Sequence, residues 1–203
     1  MVEAQATTVD VWWAHHHDFT ETTIAASTTT HEHLRAQRFA TKDLATRFLA
    51  GRAMTRMVLA EQLHMAPLAI DIGRHCAHCG NDAHGKPRIG GDLGLWFSLS
   101  RTDALSVVAL STVGEIGCDV VALPSPVATI DPKEWAVREA AVKCDGRGLA
   151  LNPWSLLLEE DHVYSSGIES TAQYVTTFEL PIAVGAVVAP HHRPVLRVRQ
   201  WMA

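Results

Sequence analysis

The sequence predicts an α+β protein, from the order of its elements and from the spacing of its apolar residues. A strand-like segment comes first, followed by helices and strands; a proline-containing linker, another helix and further strands come next. Because this order repeats, we predict two similar halves, an N-terminal lobe of residues 1–115 and a C-terminal lobe of residues 116–203. The linker is expected at 122–132, and the two lobes together could also count as one domain.

The first half contains the clearest local patterns. Residues 9–14 alternate and are rich in β-branched and aromatic side chains, which favours a strand. The His-His-His-Asp run at 15–18 predicts a solvated loop, since three adjacent side chains cannot all face one metal ion. Residues 28–39 predict a short helix with threonines available as N-caps. Residues 42–64 place apolar side chains at i, i+3 and i+4, which predicts a long helix.

The remaining elements follow from shorter patterns. The glycine-rich residues 73–94 predict a loop. Residues 133–144 predict a helix, closed by Gly146. Strands are predicted at 95–100, 105–111, 115–121, 154–158, 174–180, 182–188 and 195–201.

Composition excludes several classes of protein. Of 203 residues, 47% are apolar and 19% charged, which indicates a globular chain. The net charge of −5 argues against a general nucleic-acid partner. We see no apolar run that approaches the ~20 residues of a membrane span. The first residues lack the pattern of a signal peptide, so we expect a soluble cytoplasmic protein.

Five short segments carry the candidate chemistry. They are residues 38–52, His84-Gly85-Lys86-Pro87, Phe97-Ser98-Leu99-Ser100-Arg101, Gly117-Cys118-Asp119-Val120-Val121, and the helix 135–143. In this order they resemble the Sfp-type 4′-phosphopantetheinyl transferases, and the resemblance covers the chain from about Val11 to about Val188. It implies two related lobes with a pseudo-twofold relation and a cleft that binds coenzyme A. It also implies transfer of phosphopantetheine to a serine of an acyl or peptidyl carrier protein.

The resemblance also implies roles for particular residues. Lys86, Ser100 and the residue after Ser100 would contact phosphates of coenzyme A. Asp119 and Glu139 would hold Mg²⁺, the ion that accepts carboxylate and phosphate oxygens. Lys143 would contact phosphate, and with Asp119 and Glu139 it forms the expected catalytic set. Glu139 and Lys143 lie four residues apart, so an ordinary surface ion pair is the alternative.

Three arginines extend the expected cofactor-binding set. Arg47 and Arg52 lie on the long helix with Arg56, as either a solvated face or an edge that faces an anion. Arg138, on the helix of Glu139, adds to the polar side chains of the expected cleft.

The sequence departs from the family pattern in three places. Arg101 stands at the motif histidine; it can bind phosphate but cannot act as a general base. Val121 stands at a motif glutamate, which removes one magnesium ligand and weakens the site. Only 20 positions separate Asp119 from Glu139, where the family carries a longer segment with a helix and a second acidic residue. Prolines bridge the shortened stretch, at Pro124, Pro126 and Pro132.

A cysteine-rich segment precedes Lys86. Zinc could bind Cys76, Cys79 and His84, with His75 or His78 as a fourth ligand. The alternatives are a redox role and a structural loop shared with bacterial relatives that carry a similar Cys-x-x-Cys. A second Cys-x-x-Cys, which would complete a common zinc pattern, is missing from the sequence.

Three functions remain open. The first is a diverged transferase-like protein of polyketide or nonribosomal-peptide biosynthesis, with transfer impaired. Its cleft would then serve a small-molecule or carrier-tethered intermediate, in a cyclisation or condensation step for example. The second is an active Mg²⁺-dependent transferase. The third is a non-catalytic module that binds coenzyme A or a carrier protein.

Overall fold

A computed structural model of the chain describes residues 7–125, 129–165 and 172–202, so Pro126 of the expected linker lies outside the described residues. The helices are α1 Glu21–Ser27, α2 Thr30–Ala36, α3 Lys42–Leu63 and α4 Pro132–Asp145. The strands within residues 1–115 are β1 Thr7–His15, β2 Ile72–His75, β3 Lys86–Ile89, β4 Trp96–Arg101 and β5 Leu105–Ser111. The strands within residues 116–203 are β6 Gly117–Ala122, β7 Leu156–Glu159, β8 His162–Ser165, β9 Ala172–Leu180, β10 Ala183–Ala189 and β11 Pro194–Gln200. This confirms the α+β class. None of the helices within these ranges is long and apolar enough to cross a bilayer.

Two sheets and two helices form four layers. One sheet has the strand order β11-β1-β5-β4 and the other β6-β10-β9-β8-β7. A core cluster lies between the sheets, with Val11 and Val107 from one and Val120 and Val187 from the other. A second cluster lies between the first sheet and α3, and a third between the second sheet and α4. The layers therefore run helix, sheet, sheet, helix.

The C-terminal strand belongs to the sheet of the N-terminal strand. β11 pairs with β1 in parallel, with Val198 opposite Val11. The predicted C-terminal lobe, 116–203, therefore contains one strand that is hydrogen-bonded into the sheet of β1 and β5. Predictions from strand order along the chain do not detect such a pairing, because its partners lie far apart in sequence.

Local signals account for the two long helices. The side chain of Thr41 accepts a hydrogen bond from the amide of Leu44 at 3.2 Å and begins α3. Asp131 caps α4, with Pro132 as its first residue, and Gly146 ends the helix in the left-handed conformation at φ 83°. Both helices were predicted within two residues of their observed ends.

A glycine allows α4 to lie close to β6. A Cβ at Gly117 would overlap the carbonyl group of Ala140 and the amide of Cys144. Along β6 the side chains alternate, so that Cys118 and Val120 face the first sheet. Asp119, between them, therefore faces the other side, toward α4.

Serine side chains join β4 to β6 where the two sheets meet. The amide of Cys118 donates to Ser98 Oγ at 2.9 Å, and the amide of Val120 donates to Ser100 Oγ at 3.3 Å. Ser100 in turn donates its hydroxyl proton to Asp119 Oδ1 at 2.7 Å. These side-chain bonds take the place of a backbone ladder and fix Asp119 beside β4.

Several predicted elements differ from the structure. The loop predicted over 73–94 contains the short hairpin β2–β3, whose glycine and proline residues weaken the strand pattern. The helix predicted over 28–39 is shorter, and α1 precedes it. The strand predicted from 154 begins at Leu156, because Pro153–Ser155 form a 3₁₀ turn. The strand β8 was not predicted; only four residues long, it offers little periodicity.

Candidate functional site

A cleft of about 840 Å³ opens between α3, the β2–β3 loop, β4 and α4. The described residues that line it come from five parts of the chain: 35–52, 74–87, 98–101, 119 and 139–153. Seven of its side chains are basic and two are carboxylates, Asp119 and Glu139. A cleft with this balance attracts anions, although the chain as a whole is acidic.

One end of the cleft holds the residues of the expected catalytic set. Lys143 Nζ lies 2.5 Å from Asp119 Oδ1, which also accepts the hydrogen bond from Ser100. Burial and the neighbouring charge of Asp119 raise the pKa of Glu139, and Lys143 partly offsets them. Lys143 thus pairs with Asp119 rather than with Glu139, its i−4 neighbour on α4. The arrangement places a lysine, a paired carboxylate and a carboxyl of raised pKa within one wall.

Val121, which stands at the position of the motif glutamate, is part of the core. Val121 lies on β6 two residues beyond Asp119, on the same face of the strand, and packs in the cluster beneath α4. Of the described residues, only two carboxylates face this part of the cleft, and one of them is held by Lys143. The described residues fit a magnesium ion in part: Asp119 and Glu139 would hold it, and Lys143 would have to move from Asp119.

Three arginines give the cleft its unbalanced charge. Among the described residues, Arg35, Arg74 and Arg101 line the cleft and have no carboxylate partner. The walls of the cleft remove water from Arg74 and Arg101, which lowers the pKa of both, and the charge of Arg35 lowers it further. Charges that repel one another in this way bind an anion favourably, because the anion removes the repulsion.

An aromatic ring lies between two of these arginines. The guanidinium carbons of Arg35 and Arg101 lie 5.5 and 5.7 Å from the centroid of the Phe48 ring. Phe39 contacts the same ring at a centroid distance of 5.1 Å. The cleft therefore offers cations and aromatic faces together, a combination that suits a ligand with phosphates and a planar ring.

Arg52 has a structural partner. Arg52 Nε lies 2.6 Å and Arg56 Nε 2.9 Å from carboxylate oxygens of the buried Glu32. Arg56 also donates to the carbonyl groups of Pro67 and Ile70. Both alternatives from the sequence, a solvated face and an anion-facing edge, are wrong for Arg56, which is buried in this network. Arg52 is buried too, and it lines the cleft.

Lys86 lies in the cleft wall, and its ammonium group is fully hydrogen-bonded. Its Nζ donates to Glu115 at 2.5 Å and to the carbonyl oxygens of Ile116 at 2.7 Å and Cys144 at 3.4 Å. These contacts use its three donors, so a phosphate would have to displace one of them. The predicted phosphate contact thus requires a rearrangement at Glu115.

Two predicted cofactor-binding residues are not among the described residues that line the cleft. Arg47 forms ion pairs with Asp43 at 2.6 Å and Asp103 at 2.8 Å. Arg138 pairs with Glu134 at 2.7 Å and donates to the carbonyl groups of Pro153 and Leu156. Each has an acidic partner four residues earlier on its own helix, a local signal that the motif assignment did not use.

The site residues expected from the sequence did not include Arg35 or Arg74, and Phe48 lay within the candidate segment 38–52 without a role of its own. Arg35 belongs to α2 and Arg74 to the hairpin that sequence patterns did not predict. Phe48 was assigned to the apolar face of α3, and its place beside Arg35 and Arg101 in the cleft has no signal in the helical spacing.

The two cysteines nearest the acidic residues are not nucleophiles. Burial raises the pKa of Cys118 to about 12 and that of Cys144 to about 11. Both thiols therefore stay protonated at neutral pH and pack as small apolar side chains.

The cysteines before Lys86 lie close together with a histidine. The thiol sulfurs of Cys76 and Cys79 and a ring nitrogen of His84 all lie within 4.8 Å of one another. His84 and Cys76 also line the cleft, as does His78. His75 is bound instead to Asp82, with Nδ1 2.8 Å from the carboxylate.

No family model matches the chain, and a search of curated proteins returns no match.

Proposed function

We propose that the chain is a diverged member of the 4′-phosphopantetheinyl transferase family, with two related lobes, acting in polyketide or nonribosomal-peptide biosynthesis. Its cleft binds a phosphopantetheine-bearing molecule, either coenzyme A or a carrier-tethered intermediate, and ordinary transfer of phosphopantetheine is impaired. The observation that carries this proposal is the set of three arginines without carboxylate partners, Arg35, Arg74 and Arg101, around one ligand-sized cleft.

The dimensions and lining of the cleft support a ligand of this class. Its volume of about 840 Å³ lies within the usual range for cofactor sites. Cations and phenyl rings at one side suit phosphates and a base, as the contacts of Phe48 indicate. Apolar residues also line the cleft, among them Leu99, Val142 and Leu151, and they suit the less polar pantetheine arm.

The arrangement around Asp119 supports impaired transfer. Cleavage of the pyrophosphate needs charge neutralised over several oxygens, which a divalent ion supplies in the family. Val121 removes one ligand, and Lys143 occupies Asp119 at 2.5 Å. A magnesium ion at this position would therefore bind more weakly than one held by three free carboxylates.

The same residues could move a proton on a bound intermediate. Glu139 has a raised pKa and lies on one face of α4 with Lys143. A carboxyl group with a raised pKa keeps its proton to a higher pH than usual, which suits it to donate or accept a proton. This is the acid–base step that a cyclisation or condensation of a tethered acyl chain would use.

A second candidate is an active Mg²⁺-dependent transferase. The convergence of Asp119, Glu139, Lys143 and Ser100 at one end of the cleft favours it. On this account Mg²⁺ displaces Lys143 from Asp119, and the lysine turns to the phosphate. Asp119→Asn and Glu139→Gln would then each abolish transfer. A non-catalytic binding module, the third possibility, predicts the same binding as the first and no turnover of any tethered intermediate.

Calorimetric titration with coenzyme A, 3′-dephospho-coenzyme A and pantetheine tests the binding proposal. We expect binding to weaken in that order, because each step removes phosphate from the arginines. An apo carrier protein and the same carrier bearing phosphopantetheine form the second arm. Tighter binding of the modified carrier would assign the tethered form as the ligand. Equal and weak binding of coenzyme A and pantetheine would overturn the proposal.

A further inference from the structure

The segment from Cys76 to His84 has the geometry of a metal site. In a tetrahedral zinc site, with Zn–S near 2.3 Å and Zn–N near 2.0 Å, a sulfur and a nitrogen ligand lie about 3.6 Å apart. Cys79 Sγ and His84 Nε2 are 3.4 Å apart already. With Cys76 Sγ included, the three atoms lie within 4.8 Å of one another, about 1 Å from the spacing that zinc requires.

The backbone of this segment is folded to present the thiols together. The amide of Gly80 donates to the carbonyl of Cys76 at 2.8 Å, and the amide of Cys76 donates to the carbonyl of Asn81 at 3.0 Å. Gly80 has φ 70°, a conformation in which a side chain would be strained.

The two cysteines are free, so both thiols are available as ligands. Cys76 is buried, and Cys79 and His84 are exposed, which gives an ion a path to the site. Two thiolates would balance the charge of a divalent ion, leaving the site neutral beside the cationic cleft. Sulfur and imidazole ligands in this number favour zinc over magnesium or calcium, which prefer oxygen.

We propose that Cys76, Cys79 and His84 bind one zinc ion, with water in the fourth position. His75 is occupied by Asp82, and His78 faces the cleft, so neither is needed as a protein ligand. This site is separate from the magnesium position expected at Asp119 and does not depend on the proposed function.

The ion would fix one wall of the cleft. The amide of Ala77, between the two cysteines, donates to the carbonyl of Gly146 at the end of α4, at 3.4 Å. His84 leads directly into Gly85, where a Cβ would overlap the backbone of His75 and Cys76, and then into Lys86. The zinc site thus connects the hairpin β2–β3 to α4 and holds Lys86 near Glu115.

Metal analysis of the purified full-length chain tests the proposal. The protein is loaded with zinc and dialysed, and zinc is counted by inductively coupled plasma mass spectrometry. Cobalt loading is the second readout, since thiolate ligation gives sulfur-to-cobalt charge-transfer bands and tetrahedral geometry gives intense visible bands. We expect one zinc per chain and both sets of bands.

Variants identify the ligands. Cys79→Ser and His84→Ala, both at exposed positions, should lose most of the zinc and the tetrahedral bands while the circular dichroism spectrum shows a folded chain. His78→Ala and the matched cysteine control Cys118→Ala should keep both. A wild-type chain without zinc above the buffer background and without cobalt bands would overturn the proposal. Full zinc retention in Cys79→Ser and His84→Ala would overturn it as well.

Discussion

Arg101 offers the sharpest test of which side chains bind the ligand. Its guanidinium lies over the Phe48 ring and has no carboxylate partner among the described residues, so its charge is available to a phosphate. A hydrogen bond to a charged group contributes about 1.5–3 kcal/mol. Arg101→Gln should therefore raise the Kd for coenzyme A by about 10- to 150-fold.

The same change should have little effect on folding. Removal of Arg101 leaves no buried carboxylate unpaired and relieves its repulsion with Arg35. The free energy of unfolding should stay within about 1 kcal/mol of the wild-type value, apart from the modest cation–π contribution. Urea unfolding followed by tryptophan fluorescence measures this, and isothermal titration calorimetry at low and high salt measures the Kd.

Two further arginine variants test whether the binding residues are those that line the cleft or those that the sequence motifs predict. Arg193→Gln, at an exposed position paired with Asp161, is the matched control and should leave the Kd unchanged. Arg47→Gln should also leave it unchanged, because Arg47 pairs with Asp43 and Asp103. If Arg47→Gln weakened binding and Arg101→Gln did not, the assignment of the cleft would be refuted.

Three predictions concern stability. Glu32→Gln should lower the free energy of unfolding by about 3–5 kcal/mol, since it leaves two buried guanidinium groups without their carboxylate; a loss below about 1 kcal/mol in urea unfolding would contradict this. Burial lowers the pKa of His16 from 6.5 to about 4, so its neutral ring favours the folded state. This contribution to the free energy of unfolding is fully present above pH 6.5 and is lost as pH falls from about 6.5 to about 4, by about 3 kcal/mol in all. His16→Gln should remove this part of the pH profile. Gly117→Ala should cost at least about 1–3 kcal/mol, because its Cβ would push β6 away from α4; unchanged thermal stability would refute that close approach.

Much of the fold could be predicted from local patterns. The apolar spacing of α3 and the capping residues of α4 are local signals, and the structure has both helices at the predicted positions. The pairing of β11 with β1 depends on contacts between the two ends of the chain, which periodicity does not report. The hairpin β2–β3 is too short and too rich in glycine and proline to show a strand pattern.

The candidate site could be predicted in part, because some of its residues belong to local motifs. Motif spacing identified Asp119, Glu139 and Lys143, and the structure brings all three to the cleft. The partners of Arg47 and Arg138 on their own helices, Asp43 and Glu134, could have been predicted from i,i+4 spacing. Arg35 and Arg74 have no carboxylate partner among the described residues, and this depends on tertiary contacts that the motifs do not encode.

The most direct test of the central claim is a transfer assay at a coenzyme A concentration where binding is established. The protein is incubated with Mg²⁺, a fluorescent coenzyme A analogue and a panel of apo carrier proteins, with a complete family transferase as the positive control. We predict binding of the analogue without labelled carrier, because Val121 and the Lys143–Asp119 pair weaken the magnesium site. Carrier labelling that depends on Mg²⁺, and that Asp119→Asn abolishes, would contradict the claim and identify an active transferase.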